Sequence, residues 1–340
     1  MATPSIQDLV DQQSKGPHLE RSIRLNFVGD WGMANFHRIC SWLTQEFCDR
    51  AGPDSRVAIW NVRHGGIEGV LEVFRGEAQL AIATPTQLMS TALTGDGIFA
   101  PYGPIPSLRA LGVLPQKDRM VFAIDPKYGI TSFEDLRQKR PPLRIATSTN
   151  DGTNFIGYVA NAFMECHGIT VHDLESWGGK YITAHRPEQA IALVETGQAD
   201  ALLQEAIMTP WWANIIERKK YTPLQAEDAA LSRYHEKYPH ATAVNPEPLP
   251  AGYWSTLTQP LITLDFSDFV VLVRDDLAED VAHLLTWCLV ETRSAIEAQY
   301  RHLPPERSPL TYPLDPWKMA RTPVPLHEGA KRYYRDSGYL

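Results

Sequence analysis

Cysteine is scarce in this chain of 340 residues: there are four, at Cys40, Cys48, Cys166 and Cys288. None stands in the CxxC spacing of a zinc or redox site. Cys40 and Cys48 fall eight apart on one expected helix, about 12 Å along its axis, too far for a disulfide. All four are expected to be buried small hydrophobes in a reducing compartment. Basic excess is also lacking. Net charge is -8, and no Lys/Arg-rich run or aromatic-interleaved basic stripe appears, so a nucleic-acid partner is not expected. No stretch of about 18 apolar residues occurs, which argues against membrane insertion. The first 24 residues are polar, with Asp8, Asp11, Lys15 and Glu20, and lack the apolar core of a secretion signal. Cytoplasmic location is the resulting expectation.

Chemical signatures are missing as well. There is no GxSxG, GxxxxGK[ST] or GxGxxG sequence, and the eleven histidines form no HExxH or other metal-binding spacing. Neither cofactor nor metal is therefore expected. Repeats of fixed period and low-complexity tracts are absent too.

What is present is ordinary globular composition, 44% hydrophobic and 21% charged, enough for two cores of roughly 120 to 170 residues each. From Ser22 to Phe122, short β-rich runs alternate with amphipathic helices, the pattern of βαβ units around a mainly parallel sheet. Strands are expected at Ile23 to Val28, Arg56 to Asn61 and Gln79 to Ala83. Between them, one helix carries Phe36, Ile39, Cys40, Leu43 and Phe47 on a single stripe. The next carries Ile67, Val70, Leu71 and Phe74 and stops at Gly76.

Leu111 to Leu114 and Met120 to Ile124 are β-prone and suited to carry the chain across to a second lobe. There the alternation restarts. A helix is expected at Asp135 to Lys139, a strand at Leu143 to Ala146, helices at Asn154 to His167 and Pro187 to Thr196, and a strand at Asp200 to Leu203. Leu261 to Val273 returns to β character and leads into one long helix, Ala278 to Gln299. The proline-rich tail from Pro304 to Leu340, with its Gly-Ala-Lys-Arg-Tyr-Tyr helix, should pack back on lobe one. Two α/β lobes joined by two crossings follow, with the ligand site beyond the carboxyl ends of the strands.

The segments Gly-Gly-Ile-Glu-Gly-Val-Leu at 65–71 with Gly76-Glu-Ala-Gln-Leu-Ala are distinctive together with three others. These are Ile130-Thr-Ser-Phe-Glu-Asp-Leu with Arg144-Ile-Ala-Thr-Ser-Thr-Asn-Asp-Gly-Thr, Gly197-Gln-Ala-Asp-Ala, and Leu326-His-Glu-Gly-Ala-Lys-Arg-Tyr-Tyr-Arg-Asp-Ser-Gly. In this order and spacing, the series resembles the TAXI family of TRAP-transporter solute receptors over about 300 residues. The resemblance implies a type II periplasmic-binding-protein fold with lobe two inserted between two hinge strands, and a small carboxylate ligand. By carry-over, lobe one is 1–122 plus 263–340, and lobe two is 123–262. Such receptors are exported by a signal peptide or lipid anchor, whereas a polar arm occupies that place here. Either the chain was trimmed from a periplasmic form, or it is an intracellular relative that serves no transporter; the Met-Ala-Thr start and unpaired cysteines favour the second. TRAP membrane components are expected as partners only of an exported form.

Candidate ligand-binding residues sit after the strands. Ser148, Thr149, Gly152, Thr153 and Asn154 form a strand, a polar turn and a helix start suited to an anion, or an ordinary helix cap. Trp31 is an apolar wall for a ligand or a buried structural Trp. Asn61, Arg63 and His64 follow strand two: Arg63 can grip a carboxylate, and His64 can donate a hydrogen bond or act as a base, unless the loop is merely solvated. Thr84 and Thr86 can hydrogen-bond a ligand or cap the next helix. Trp177 and Lys180 mark a loop offering a cation, or plain surface. Gln204 and Glu205 place a carboxylate near the anion-prone turn, where it binds an ammonium group, transfers protons or pairs with solvent or arginine. Trp211-Trp212 opens a helix and reads as core rather than as a ligand-stacking pair.

Two functions compete. One is reversible binding of a small organic acid. The other is a cofactor-independent lyase or isomerase on the same fold, performing decarboxylation, dehydration or cyclisation with His64 and Glu205 as catalytic residues.

Overall fold

The computed structural model describes residues 15–29, 35–63, 66–238 and 248–340. Among these, the chain builds two mixed sheets flanked by helices. The first contains β1 (Arg24–Val28), β2 (Arg56–Trp60), β3 (Leu80–Ala83), β4 (Leu108–Leu114) and β11 (Phe269–Arg274), in the order β2-β1-β3-β11-β4. β1 runs parallel to β2 and β3, while β11 is antiparallel to both β3 and β4. The second sheet runs β10-β5-β8-β6-β7, from β5 (Arg119–Ile124), β6 (Arg144–Ser148), β7 (Lys180–Ala184), β8 (Ala201–Gln204) and β10 (Leu264–Asp265). A short β9 (Thr222–Pro223) pairs with β5. The chain crosses between sheets from β4 to β5 and again from β10 to β11, which is the expected two-lobed α/β architecture.

Helix α1 (Asn35–Cys48) buries Phe36, Ile39, Cys40, Leu43 and Phe47, the stripe that a 3.6-residue period places on one face. Helix α2 (Ile67–Arg75) buries Ile67, Val70 and Leu71, and Gly76 ends it in the left-handed conformation at φ 80°. In the second lobe, α3 (Phe133–Lys139), α4 (Phe155–Cys166) and α5 (Pro187–Glu195) cover the sheet, and α6 (Asp228–Lys237) packs on α4. The tail helix α8 (Glu328–Asp336) packs on α7 (Glu279–Glu291), and the backbone of Ala110 in β4 bonds Pro325 and His327, so the tail lies against the first sheet.

Three expectations need correction. The β run Leu261 to Val273 is broken: β10 and β11 lie in different sheets, separated by a turn in which Asp268 takes φ 66°. The long helix is two, because it stops at Thr292 and resumes as Arg293–Ala298; the Thr292 hydroxyl donates to the Cys288 carbonyl at 2.7 Å. Cys40, Cys166 and Cys288 are buried free thiols, but Cys48 is only half-buried.

No helix among the described residues is long and apolar enough to cross a membrane. Among the same residues, no group of three His, Cys, Asp or Glu side chains is arranged to hold a metal ion.

Candidate functional site

The carboxyl ends of β6 and β8 lie side by side, and the side chains there are tied together. Gln204 Nε2 donates to Ser148 Oγ at 3.0 Å, and Gln204 Oε1 accepts from the Glu205 backbone N–H at 3.0 Å. On the first sheet, Thr84 follows β3 and donates to the Asp268 carbonyl at 3.0 Å. Gln116, in the first crossing, takes the Asp268 carboxylate on its backbone N–H at 3.0 Å and reaches Thr84 Oγ1 at 3.5 Å. Both crossings are thus hydrogen-bonded to each other beside the strand ends.

Between these ends lies a cavity of about 280 Å³. The first sheet's side supplies Asn35, Phe36 and Arg38 from α1, with Thr84 and Phe269. The second sheet's side supplies Ile156, Glu188, Glu205, Thr209 and Trp211, and Asp118 comes from the first crossing. Arg38 is exposed to this space, holds its guanidinium 5.3 Å from the Tyr300 ring, and makes no ion pair among the described residues. Trp211 is 47% exposed, whereas its neighbour Trp212 is fully buried and donates its indole N–H to the Glu205 carbonyl at 2.7 Å.

Asp118 and Glu205 form a carboxyl pair. The Asp118 oxygens accept backbone N–H groups from Arg119 at 2.7 Å, Ala206 at 2.9 Å and Ile207 at 3.2 Å. Burial raises the Asp118 carboxyl above its ordinary range, while Glu205 and these three donors pull it back. Glu205 is raised well above the carboxylic-acid range, first by burial and then by the Asp118 charge. Two carboxylates this close cannot both ionise, and the one cradled by backbone donors keeps the charge. Glu205 therefore carries the shared proton. Behind the pair, Arg119 bonds Asp265 at 3.0 Å, and burial pushes Asp265 up to about 6 in spite of that partner.

The structure brings Thr84 and Glu205 into the cavity wall, with Gln204 and Ser148 directly behind Glu205. At the start of α4 the N–H donors have protein partners: Asn154 Oδ1 accepts from Ile156 and Gly157, and Asp151 Oδ1 accepts from Thr153. Thr149 donates its backbone N–H to Ala184, and Gly152 sits at φ 84° with open space around it. Asn61 and Arg63 are exposed beyond β2, an edge strand. Thr86 is buried, its hydroxyl 3.4 Å from the Ser267 carbonyl. Lys180 begins β7 and Trp177 precedes it, at the amino ends of the strands, away from the cavity. Trp31 and His64 lie outside the described residues.

Arg38, Gln116, Asp118 and Glu188 were not among the residues expected from the sequence, and Trp211, expected in the core with Trp212, instead lines the cavity with 47% of its surface exposed. Glu188 had a usable signal, since it lies just past the carboxyl end of β7, and so had Asp118, a carboxylate within a crossing. Arg38 had none: an arginine on the exposed side of a helix looks like solvent-facing charge.

Comparison with known proteins fits this architecture. The profile of the NMT1-like family matches residues 48–338. The chain belongs to the NMT1-like family. A search of curated proteins finds no match. Among solved structures, this NMT1-like chain is similar to MatC from Rhodopseudomonas palustris with bound malate, at 9% identity and a TM-score of 0.51, over 93% of this chain and 99% of that one. It is similar to XAC2383 from Xanthomonas citri bound to ATP, at 13% identity and a TM-score of 0.51, again over 93% and 99%. A third likeness is to a periplasmic transporter, at 16% identity and a TM-score of 0.50, covering 94% of both chains. These likenesses establish the periplasmic solute-binding-protein fold for the NMT1-like chain. They do not extend to the TAXI family in particular.

Proposed function

We propose that this chain reversibly binds a small organic acid in the cavity between its two sheets, in the manner of a TAXI-type solute receptor. The observation that carries the reading is a guanidinium, Arg38, exposed at the cavity beside the strand ends and without a carboxylate partner among the described residues. Such a group matches a ligand carboxylate in charge and in fork geometry. The volume, about 280 Å³, lies at the lower end of small-molecule pockets, so the ligand is small. Phe36, Phe269 and Trp211 supply apolar walls, and Asn35, Thr84 and Thr209 supply hydrogen bonds around them. The malate carried by MatC is a ligand of this chemical kind.

A thermal-shift screen of organic acids, followed by calorimetry on the best binder, tests the reading. Arg38→Ala is expected to weaken that binder by at least about tenfold, or ~1.4 kcal/mol. Equal affinity in the variant would refute Arg38 as the carboxylate's partner.

The protonated Glu205 favours one second reading, an enzyme that hands a proton to its bound acid without a cofactor. Mass spectrometry of each binder after incubation distinguishes the two, because a receptor returns its ligand unchanged.

A further inference from the structure

Carboxyl groups outnumber the cation around this cavity, and the two kinds come from opposite sides. Asp118, Glu188 and Glu205 reach it from the first crossing, from the first turn of α5 and from the loop after β8. Arg38 reaches it from α1, on the other sheet. Three backbone N–H groups and the Glu205 carboxyl favour the charged form of Asp118 against the burial that raises it, and its oxygens are occupied by these protein donors. Glu188 is near enough for its negative charge to act on Glu205. With Glu205 neutral, Asp118 and Glu188 place two negative charges against the single positive charge of Arg38. A ligand that is only an anion satisfies Arg38 and leaves this acidic wall without a counter-charge.

We infer that the ligand is bipolar: a small amino acid whose carboxylate faces Arg38 and whose protonated nitrogen faces Glu205, Asp118 and Glu188. This rests on the reading of the cavity as a carboxylate-binding site. Trp211, Phe36 and Phe269 present aromatic surfaces in the same space, which an ammonium group also favours. A proton balance follows. An ammonium beside Glu205 favours its ionised form, so binding converts the Glu205 carboxylic acid to carboxylate and releases its proton to the buffer. Two arginines near the pair have other partners among the described residues. Arg119 is bonded to Asp265 and also donates to the Asp118 carbonyl at 2.7 Å, and Arg307 lies over the Tyr253 ring at 3.8 Å.

The test is calorimetry on the full chain with matched sets. Each set holds an α-amino acid or an ω-amino acid up to 6-aminohexanoate, its carboxylic acid lacking the amine, and its amine lacking the carboxylate. At least one amino acid is expected to bind about tenfold or more tightly than both of its truncated forms. Its binding enthalpy should change between phosphate and Tris buffers by an amount corresponding to about one proton released. Glu205→Gln is expected to weaken the amino acid about tenfold and to leave the amine-free acid nearly unchanged; Glu188→Gln, on the half-buried first turn of α5, should do the same more weakly. Equal affinity for the amine-free acid would overturn the bipolar ligand while leaving carboxylate binding intact. Tightest binding of the bare amine, unaffected by Arg38→Ala, would overturn both, as would failure of every member of the sets to bind.

Discussion

Arg119 and Asp265 face each other directly across an antiparallel strand pair and bond at 3.0 Å, joining β5 of the first crossing to β10 of the second. Both side chains are almost fully buried. The ion pair therefore sits where the two lobes hinge, and its stability is tied to proton binding. Asp265 is raised by burial from 3.8 to about 6, so the fold binds its proton more tightly than the unfolded chain does. That contribution is complete below about pH 4 and is lost as pH rises through 6, up to about 3 kcal/mol in all. Asp265→Asn is expected to flatten the pH dependence of stability between pH 4 and 7. Arg119→Met is expected to destabilise by about 3 kcal/mol at pH 7.5, where the lone carboxylate is charged, and by clearly less at pH 4.5, where it protonates. Urea unfolding at both pH values measures this; an equal loss at each would contradict it.

Gly66 and Asn154 form a backbone bridge between the residue before α2 and the cap of α4, so two helix starts from opposite lobes touch. Gly66 holds φ 92°, and a Cβ there would come 2.1 Å from the Phe155 ring. Gly66→Ala combines a strained backbone with a clash against a buried aromatic, and a loss of at least about 2 kcal/mol is expected. Small-angle scattering should show a larger radius of gyration, because this contact between the lobes is pushed apart. An unchanged radius together with unchanged stability would refute this role for the bridge.

Asn154 and Thr153, adjacent in sequence, should respond differently to truncation. Asn154 caps α4 through Ile156 and Gly157 and donates its Nδ2 to the His185 carbonyl at 3.0 Å. Among the described residues, Thr153 bonds the exposed Asp151 through its backbone N–H and its hydroxyl. Asn154→Ala is expected to cost about 1–2 kcal/mol, and Thr153→Ala a few tenths. Thermal denaturation checks the ranking, and a reversal would mean that the hydroxyl, not the amide, organises this helix start.

Much of this architecture was legible in the residues. The stripe Phe36, Ile39, Cys40, Leu43, Phe47 and the stop at Gly76 are local patterns, and local patterns survive folding because the same period governs helix and core. The break between β10 and β11 was not legible, since Leu261 to Val273 is apolar throughout and what divides it is a change of sheet. Likewise Thr292 interrupts a helix whose apolar spacing continues beyond it. At the site, Ser148, Thr84 and Glu205 could be found because strand ends point at ligands in this fold class. Asp118 and Glu205 are 87 positions apart and meet only because β5 pairs with β8, with Val121 opposite Gln204. Pairing of that kind leaves no trace in a single sequence.

Where the ligand sits is the decisive observable. The direct measurement is a crystal structure of the chain soaked with a bromine-substituted analogue of its best-binding acid, located by anomalous scattering. The expected result is one bromine site inside the cavity, with the ligand carboxylate within hydrogen-bond distance of the Arg38 guanidinium. Bromine on the outer surface, or a ligand in the cavity with its carboxylate turned away from Arg38, would contradict it.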